Sequence, residues 1–238
     1  HAAGDGPPLV VVGESGSGKS TLLANWAVQY RAAHPETLVL VHFIGSTPYS
    51  ADWSAMLRRI MGEMKRRFQI AEEIPDKPDA LRAAFANWLH MADARGRVVL
   101  VLDGLNQLED RDGAPDLVWL PPVIPTNVRM VLTTLPGRAL EDLHKRAWPT
   151  LRVQPLEPDE RRQLIVEYLA QFTKKLSPQR IERIASAPQA ANPLYRAYQR
   201  GFDRLEPVTA GATAASAIRI GNPVSYQKAV AALRDFGG

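Results

Sequence analysis

The chain has 238 residues, 45% of them hydrophobic, with 29 Lys+Arg against 25 Asp+Glu for a formal net charge of +4. That length can bury one large core or two small ones, in ordinary globular proportions. There is no cysteine, which excludes disulfides and thiolate metal centres, and no apolar run has the length of a membrane span or the pattern of a signal peptide.

In chain order, Leu9-Val10-Val11-Val12 predicts a buried strand, followed by a Gly/Ser loop and a helix carrying Leu22, Leu23, Trp26, Ala27 and Tyr30 at helical spacing. Leu38 to Ile44 (LVLVHFI), closed by Gly45, is too short and too β-branched for a helix and reads as a second buried strand. Asp52 is placed to cap a helix running to about Phe68, and another spans Pro78 to Ala94. Arg97 to Leu102 and Val128 to Leu132 predict two more strands. A short helix over Arg138 to Ala147 then leads to a fifth strand at Thr150 to Val153. Strands separated by helices predict an α/β fold, a parallel sheet with helices on both faces.

After Pro155 the strand signal stops. Pro158 opens a helix bearing Leu164, Ile165, Tyr168, Leu169 and Phe172, and Ser177-Pro178 caps another with Ile181 and Ile184 inward. The expected division is an α/β domain over 1–154, a helical lid subdomain over 155–195, and a tail over 196–238. The tail differs in character: between Pro207 and Tyr226 the only charged residue is Arg219. The chain starts at His1 and stops at Gly238, which suggests a piece of a longer protein. The lack of cysteine fits a cytoplasmic one. Lys65-Arg66-Arg67 with Arg58 and Arg59 form the densest basic cluster, read as a solvated helix face, so neither nucleic acid nor membrane is an expected partner.

The chemistry is concentrated just behind the first strand, where Gly13 to Ser20 read G-E-S-G-S-G-K-S with Thr21 next. This is the Walker A spacing in its required strand–loop–helix setting. Gly13, Glu14, Ser15, Gly16, Ser17, Gly18, Lys19, Ser20 and Thr21 are the expected nucleotide-phosphate ligands. Gly16 and Gly18 permit the turn that points backbone N–H groups at an anion, and the helix after them adds its positive end. Lys19 supplies an ammonium for the outer phosphates, and the Ser20 hydroxyl is a ligand for Mg²⁺. Asp103 ends the third strand in V-V-L-V-L-D-G, the Walker B pattern, where a carboxylate can hold the water shell of the same ion. Lys19 and Asp103 are the expected catalytic pair; Ser20 and Asp103 are the expected metal residues.

With G-E-S-G-S-G-K-S-T, then V-L-V-L-D-G-L-N-Q-L-E-D, then Asn192-Pro193-Leu194, the chain resembles the STAND branch of P-loop NTPases, closest to NACHT-like and nephrocystin-type domains. The resemblance spans about residues 7–195 and includes H-F-I-G-S-T-P-Y-S at His42 to Ser50. It implies a signalling switch that binds ATP or ADP with Mg²⁺, a helical lid over the nucleotide, and assembly or protein partners through flanking domains. It also implies that Pro193 contacts the adenine, although Asn192-Pro193 reads equally as a helix stop.

Two departures set further expectations. Family members usually carry acidic residues three and four positions after the first Asp of Walker B; here these are Asn106 and Gln107. An amide orients water but does not accept its proton, so slow hydrolysis is expected, or a nucleotide-binding scaffold that does not turn over. In Val131-Leu132-Thr133-Thr134-Leu135-Pro136, Leu135 stands where relatives often place an arginine. Thr133 or Thr134 then remains to meet the terminal phosphate or its water, or both reflect β-propensity alone; Arg138 is a further candidate charge. Finally, Gly201 to Val208 and Ala217 to Ser225 resemble a piece of threonine synthase, a pyridoxal-phosphate enzyme. The family's cofactor-lysine motif is missing there, and Lys228 is not in that context.

Overall fold

Alternate residues of the strands feed two different cores, and this period of two builds the architecture. The computed structural model describes residues 6–170 and 172–187. Strands β1 (Leu9–Val12), β2 (Leu38–Phe43), β3 (Val98–Asp103), β4 (Val128–Thr134) and β5 (Thr150–Arg152) form one sheet in the order β2-β3-β4-β1-β5. Every pairing is parallel. Val11, Val39, Val99, Val101 and Val131 pack on Leu23 and Ala27 of α1 (Lys19–Ala33). Val10, Leu40, Leu100, Met130 and Leu132, one residue out of phase, pack on the opposite face. There they meet α2 (Trp53–Phe68) and α3 (Pro78–Asp93), whose Met56, Ile60, Phe85 and Leu89 are fully buried. Both faces of the sheet are thus covered, as a parallel sheet requires.

Local chemistry starts and stops these elements where expected. The Asp52 carboxylate accepts from the Ser54 and Ala55 amides and opens α2, which ends at Gln69 in the left-handed region. The α1 stripe is narrower than its spacing suggests: Leu23 and Ala27 are buried, Trp26 and Tyr30 half-buried, and Leu22 is 50% exposed. Leu22 lies about 100° around the helix from Leu23, on the flank turned from the sheet.

Strand β2 is an edge, and its outward carbonyls are all taken. Arg31 donates through Nε and Nη2 to Val39 O, Arg59 through Nη2 to Val41 O, and Ser46 Oγ to Phe43 O. Side chains covering the carbonyls of an edge make it a poorer template for another strand. The basic cluster on α2 is likewise engaged within the chain. Lys65 pairs with Glu73 and Arg66 with Glu63, while Arg67 donates to Glu36 O and Arg58 to Asp76 O.

His42, buried on β2, accepts at Nδ1 from Arg59 Nε (3.2 Å), and its Nε2 lies 2.9 Å from Ser50 O, which assigns the neutral Nε2–H tautomer. Burial pushes its pKa below 6.5, the Ser50 carbonyl opposes this, and the Arg59 charge adds to it. The unfolded chain therefore binds the extra proton first, so this contribution to stability is complete above pH 6.5 and is lost as pH falls toward the depressed value. Melting temperature below pH 6.5 should fall more steeply for the wild type than for His42→Gln, whose amide donates and accepts without titrating. Parallel curves would contradict this.

The connection 104–127 between β3 and β4 has no periodicity in sequence and folds as irregular chain with two short 3₁₀ turns. It buries Leu105, Leu108, Leu117, Trp119 and Leu120 against the larger core. Arg146, just past α4 (Arg138–Lys145), donates to Leu117 O, Leu120 O and Pro121 O, holding the connection to the body. After β5, α5 (Pro158–Ala170) and α6 (Pro178–Ala185) pack on each other through Ile165, Leu169 and Ala185, a small core of their own. Ser177 caps α6. No helix among the described residues is long and apolar enough to cross a membrane.

Candidate functional site

At the carboxyl ends of β1, β3 and β4, three chain segments converge. The loop after β1 turns through Gly16 (φ 76°) and Gly18 (φ 89°), both in the left-handed region that favours glycine. Gly18 is the N-cap of α1. It offers no side-chain acceptor, and the first turn of α1 has no acidic residue. The amides of that turn and the positive end of the helix are therefore left for an outside anion. Gly13 is required by space, because an added Cβ would lie 2.9 Å from Ser17 Oγ and 3.2 Å from Val153 Cβ.

Lys19 is buried at the start of α1, 8% exposed, and its Nζ donates to Gly13 O (2.7 Å) and Glu14 O (2.8 Å), with Ser17 Oγ at 3.5 Å. The ammonium is thus gathered into the loop. Burial lowers its pKa, and the negative Asp103 partly offsets that. Ser20, one residue on, donates from Oγ to Asp103 Oδ2 at 2.6 Å, joining α1 to the end of β3. The other carboxylate oxygen, Oδ1, accepts from Thr133 Oγ1 at 2.6 Å. Thr133 Oγ1 in turn accepts from the Gly104 amide at 2.8 Å. Glu14, Ser15 and Thr21 are exposed on the same loop and first helical turn.

The structure therefore brings Lys19, Ser20 and Asp103 together with the loop glycines. Pro193 and the tail over 196–238, including Lys228, lie outside the described residues.

The side chains of both threonines and of Arg138 have partners within the chain. Thr133 is fully buried, and its one proton goes to Asp103. Thr134 is equally buried, with its hydroxyl on Leu135 O. Arg138 is not a charge waiting at the loop. Its guanidinium donates to both carboxylate oxygens of Asp116 and to Asp110, in the 104–127 connection.

Asn106 accepts from the Leu135 amide at 3.1 Å, tying the segment after β3 to the segment after β4. Gln107 lies against Gly45 and Gly104, where an added Cβ would collide with its amide. The Thr133–Asp103 and Asn106–Leu135 contacts were not legible beforehand. They depend on β3 and β4 being neighbours, and no local spacing reports a bond between residues about thirty apart.

For a divalent cation the donors present are hard oxygens, one buried carboxylate and one hydroxyl. Among the described residues no group of three or more His, Cys, Asp or Glu could hold a metal. That set fits Mg²⁺, which is normally held by one or two protein oxygens with the remainder supplied by substrate phosphates and water. It does not fit a dedicated all-protein cage.

The NACHT domain model matches residues 7–171. Among relatives, a TPR repeat-containing protein of Dictyostelium discoideum is 32% identical over 79% of this chain and 14% of its own length. Human nephrocystin-3 is 30% identical over 79% of this chain and 14% of its own length. Mouse NACHT and WD repeat domain-containing protein 2 is 34% identical over 55% of this chain and 8% of its own length. The chain thus spans a small fraction of these relatives. A solved structure from Pyrococcus horikoshii is a Signal Transduction ATPase with Numerous Domains (STAND) protein with a tetratricopeptide repeat sensor. It superposes with a TM-score of 0.51 at 13% identity, over 90% of this chain and 29% of that one, and so shares the fold. With a family model covering the whole sheet and the loop–helix site, the chain belongs to the NACHT family of P-loop NTPases.

Proposed function

We propose that this NACHT domain binds ATP and ADP with Mg²⁺ and hydrolyses ATP slowly, as the nucleotide-controlled switch of a larger cytoplasmic signalling protein. The observation that carries this reading is the 2.6 Å contact between Ser20 on α1 and Asp103 on β3, directly beside the glycine loop and the buried Lys19. A chance Gly/Ser loop has no reason to place a buried carboxylate against the hydroxyl that follows its lysine.

Gly13 to Gly18 and the first turn of α1 bind the phosphates through backbone amides, and Lys19 neutralises their charge. Ser20 and Asp103 would hold the cation, which would supply neutralisation of phosphate charge. The domain division proposed is 1–154 for the α/β part and 155–195 for a helical lid, with Pro193 against the adenine. Preference for adenine comes from the family, and no N-K-x-D guanine-reading sequence is present. TPR and WD repeats in the relatives' names support protein partners or self-assembly through flanking domains.

Hydrolysis is slow in this reading because the two positions after Asp103 that usually bear acids are amides, and one of them, Asn106, is bonded to the Leu135 amide. The same observation favours a second reading, a scaffold that binds nucleotide without turnover. Purified protein should carry ADP or ATP, and ADP release should run well below about 1 s⁻¹. A faster rate contradicts the slow switch, and no release at all selects the scaffold. The likeness of the tail to threonine synthase lies outside both the described residues and the matched 7–171.

A further inference from the structure

We infer that Thr133 is a positioning residue: its hydroxyl fixes the orientation of Asp103 and thereby sets the magnesium dependence of nucleotide binding. The inference rests on the nucleotide reading above and concerns which residue makes Asp103 competent. A carboxylate turns easily about its last side-chain bond, since that torsion is broad and roughly two-fold, so a single contact does not fix its direction. Asp103 has two. Oδ1 takes the proton of Thr133 and Oδ2 takes that of Ser20, each at 2.6 Å, from β4 and α1 respectively.

Thr133 is itself held, because its oxygen accepts the Gly104 amide at 2.8 Å and so reads the backbone just past Asp103. The sheet order makes this possible. Strand β4 lies between β1 and β3, with Thr133 in register with Val11 of the loop-bearing strand. With Oδ1 anchored from inside the sheet, Oδ2 is the oxygen turned toward α1 and Ser20. Without the threonine proton the carboxylate is free to rotate or to take the Gly104 amide itself, and Oδ2 leaves its place beside Ser20.

Two rival roles predict different behaviour. A Thr133 kept only for its branched shape is replaceable by valine. A Thr133 that reads the terminal phosphate matters for ATP and not for ADP. A positioning role weakens both nucleotides, and only when magnesium is present.

The experiment measures binding of ADP and of a non-hydrolysable ATP analogue to the full chain, in magnesium and in EDTA, for the wild type, Thr133→Val and Thr133→Ser. Thr133→Val should bind both nucleotides about ten-fold more weakly than wild type in magnesium, the effect of losing one hydrogen bond to a charged group. In EDTA it should match the wild type, which also reports that it is folded, and Thr133→Ser should restore the magnesium effect. Wild-type binding by Thr133→Val in magnesium, or a loss confined to the ATP analogue, overturns the inference while leaving the nucleotide site standing. A wild type whose binding ignores magnesium overturns the metal reading of Ser20 and Asp103, and this inference with it. Should Thr133→Val not fold, Thr133→Ala, which has no branched methyl to press on Asp103, takes its place with the same outcomes.

Discussion

Replacing Lys19 with alanine is expected to weaken ATP binding by roughly 10- to 100-fold, because a hydrogen bond from an ammonium to a charged partner contributes about 1.5–3 kcal/mol. The structure sharpens the expectation. Lys19 is 8% exposed and stands at the first position of α1, directly behind the glycine loop. Its present acceptors are two loop carbonyls, Gly13 O and Glu14 O. The same ammonium therefore also ties the loop to α1, and alanine will loosen that loop as well as remove a charge. Titration of ATP against the purified variant, with a melting curve to show that it is folded, measures the effect. Unchanged affinity in a folded variant would remove Lys19 from the site.

The largest expected effect on stability lies away from the loop. Trp119→Ala should destabilise the protein by about 3–5 kcal/mol, a large share of the roughly 5–15 kcal/mol net stability of a domain. Trp119 is 1% exposed, and its indole N–H donates to Ala114 O, so the side chain both fills the core and pins the irregular connection that surrounds it. Trp119 packs there with Leu105, Leu108, Leu117 and Leu120 of the same connection, so its loss opens a cavity beneath the whole segment. The denaturant midpoint reads the loss. A change below about 1 kcal/mol, the level of an ordinary surface substitution, would show that the connection is held by something else, with Arg146 on its three carbonyls as the first candidate.

Much of this architecture was legible in the residues, for reasons that can be named. Buried parallel strands must be apolar on both faces, so LVVV, LVLVHF and VVLVLD stand out against the helices between them. Asp52 and Ser177 are legible because an N-cap is a local event within three residues. The loop from Gly13 to Ser20 is legible because its chemistry fixes glycine, lysine and hydroxyl at set spacings.

What was not legible depends on distance along the chain. The placement of β4 between β1 and β3 is a global property of the sheet, and from it follow the Thr133–Asp103 bond and the burial of Thr133. Arg138 looked like an available charge because its partners Asp110 and Asp116 lie 28 and 22 residues away, in a segment whose sequence shows no period. The spacing of Leu22 allows it to face inward, and only the docking of α1 on the sheet through Leu23 and Ala27 decides which flank is covered.

Calorimetric titration of the wild-type chain with ADP or ATP in magnesium buffer addresses the phosphate cradle most directly. Saturable heat, accompanied by a rise in melting temperature, is the predicted result. No heat and no thermal protection with either nucleotide would contradict the account at its base, leaving Gly13 to Ser20 as a structural turn and the Ser20–Asp103 contact as a strut between α1 and β3.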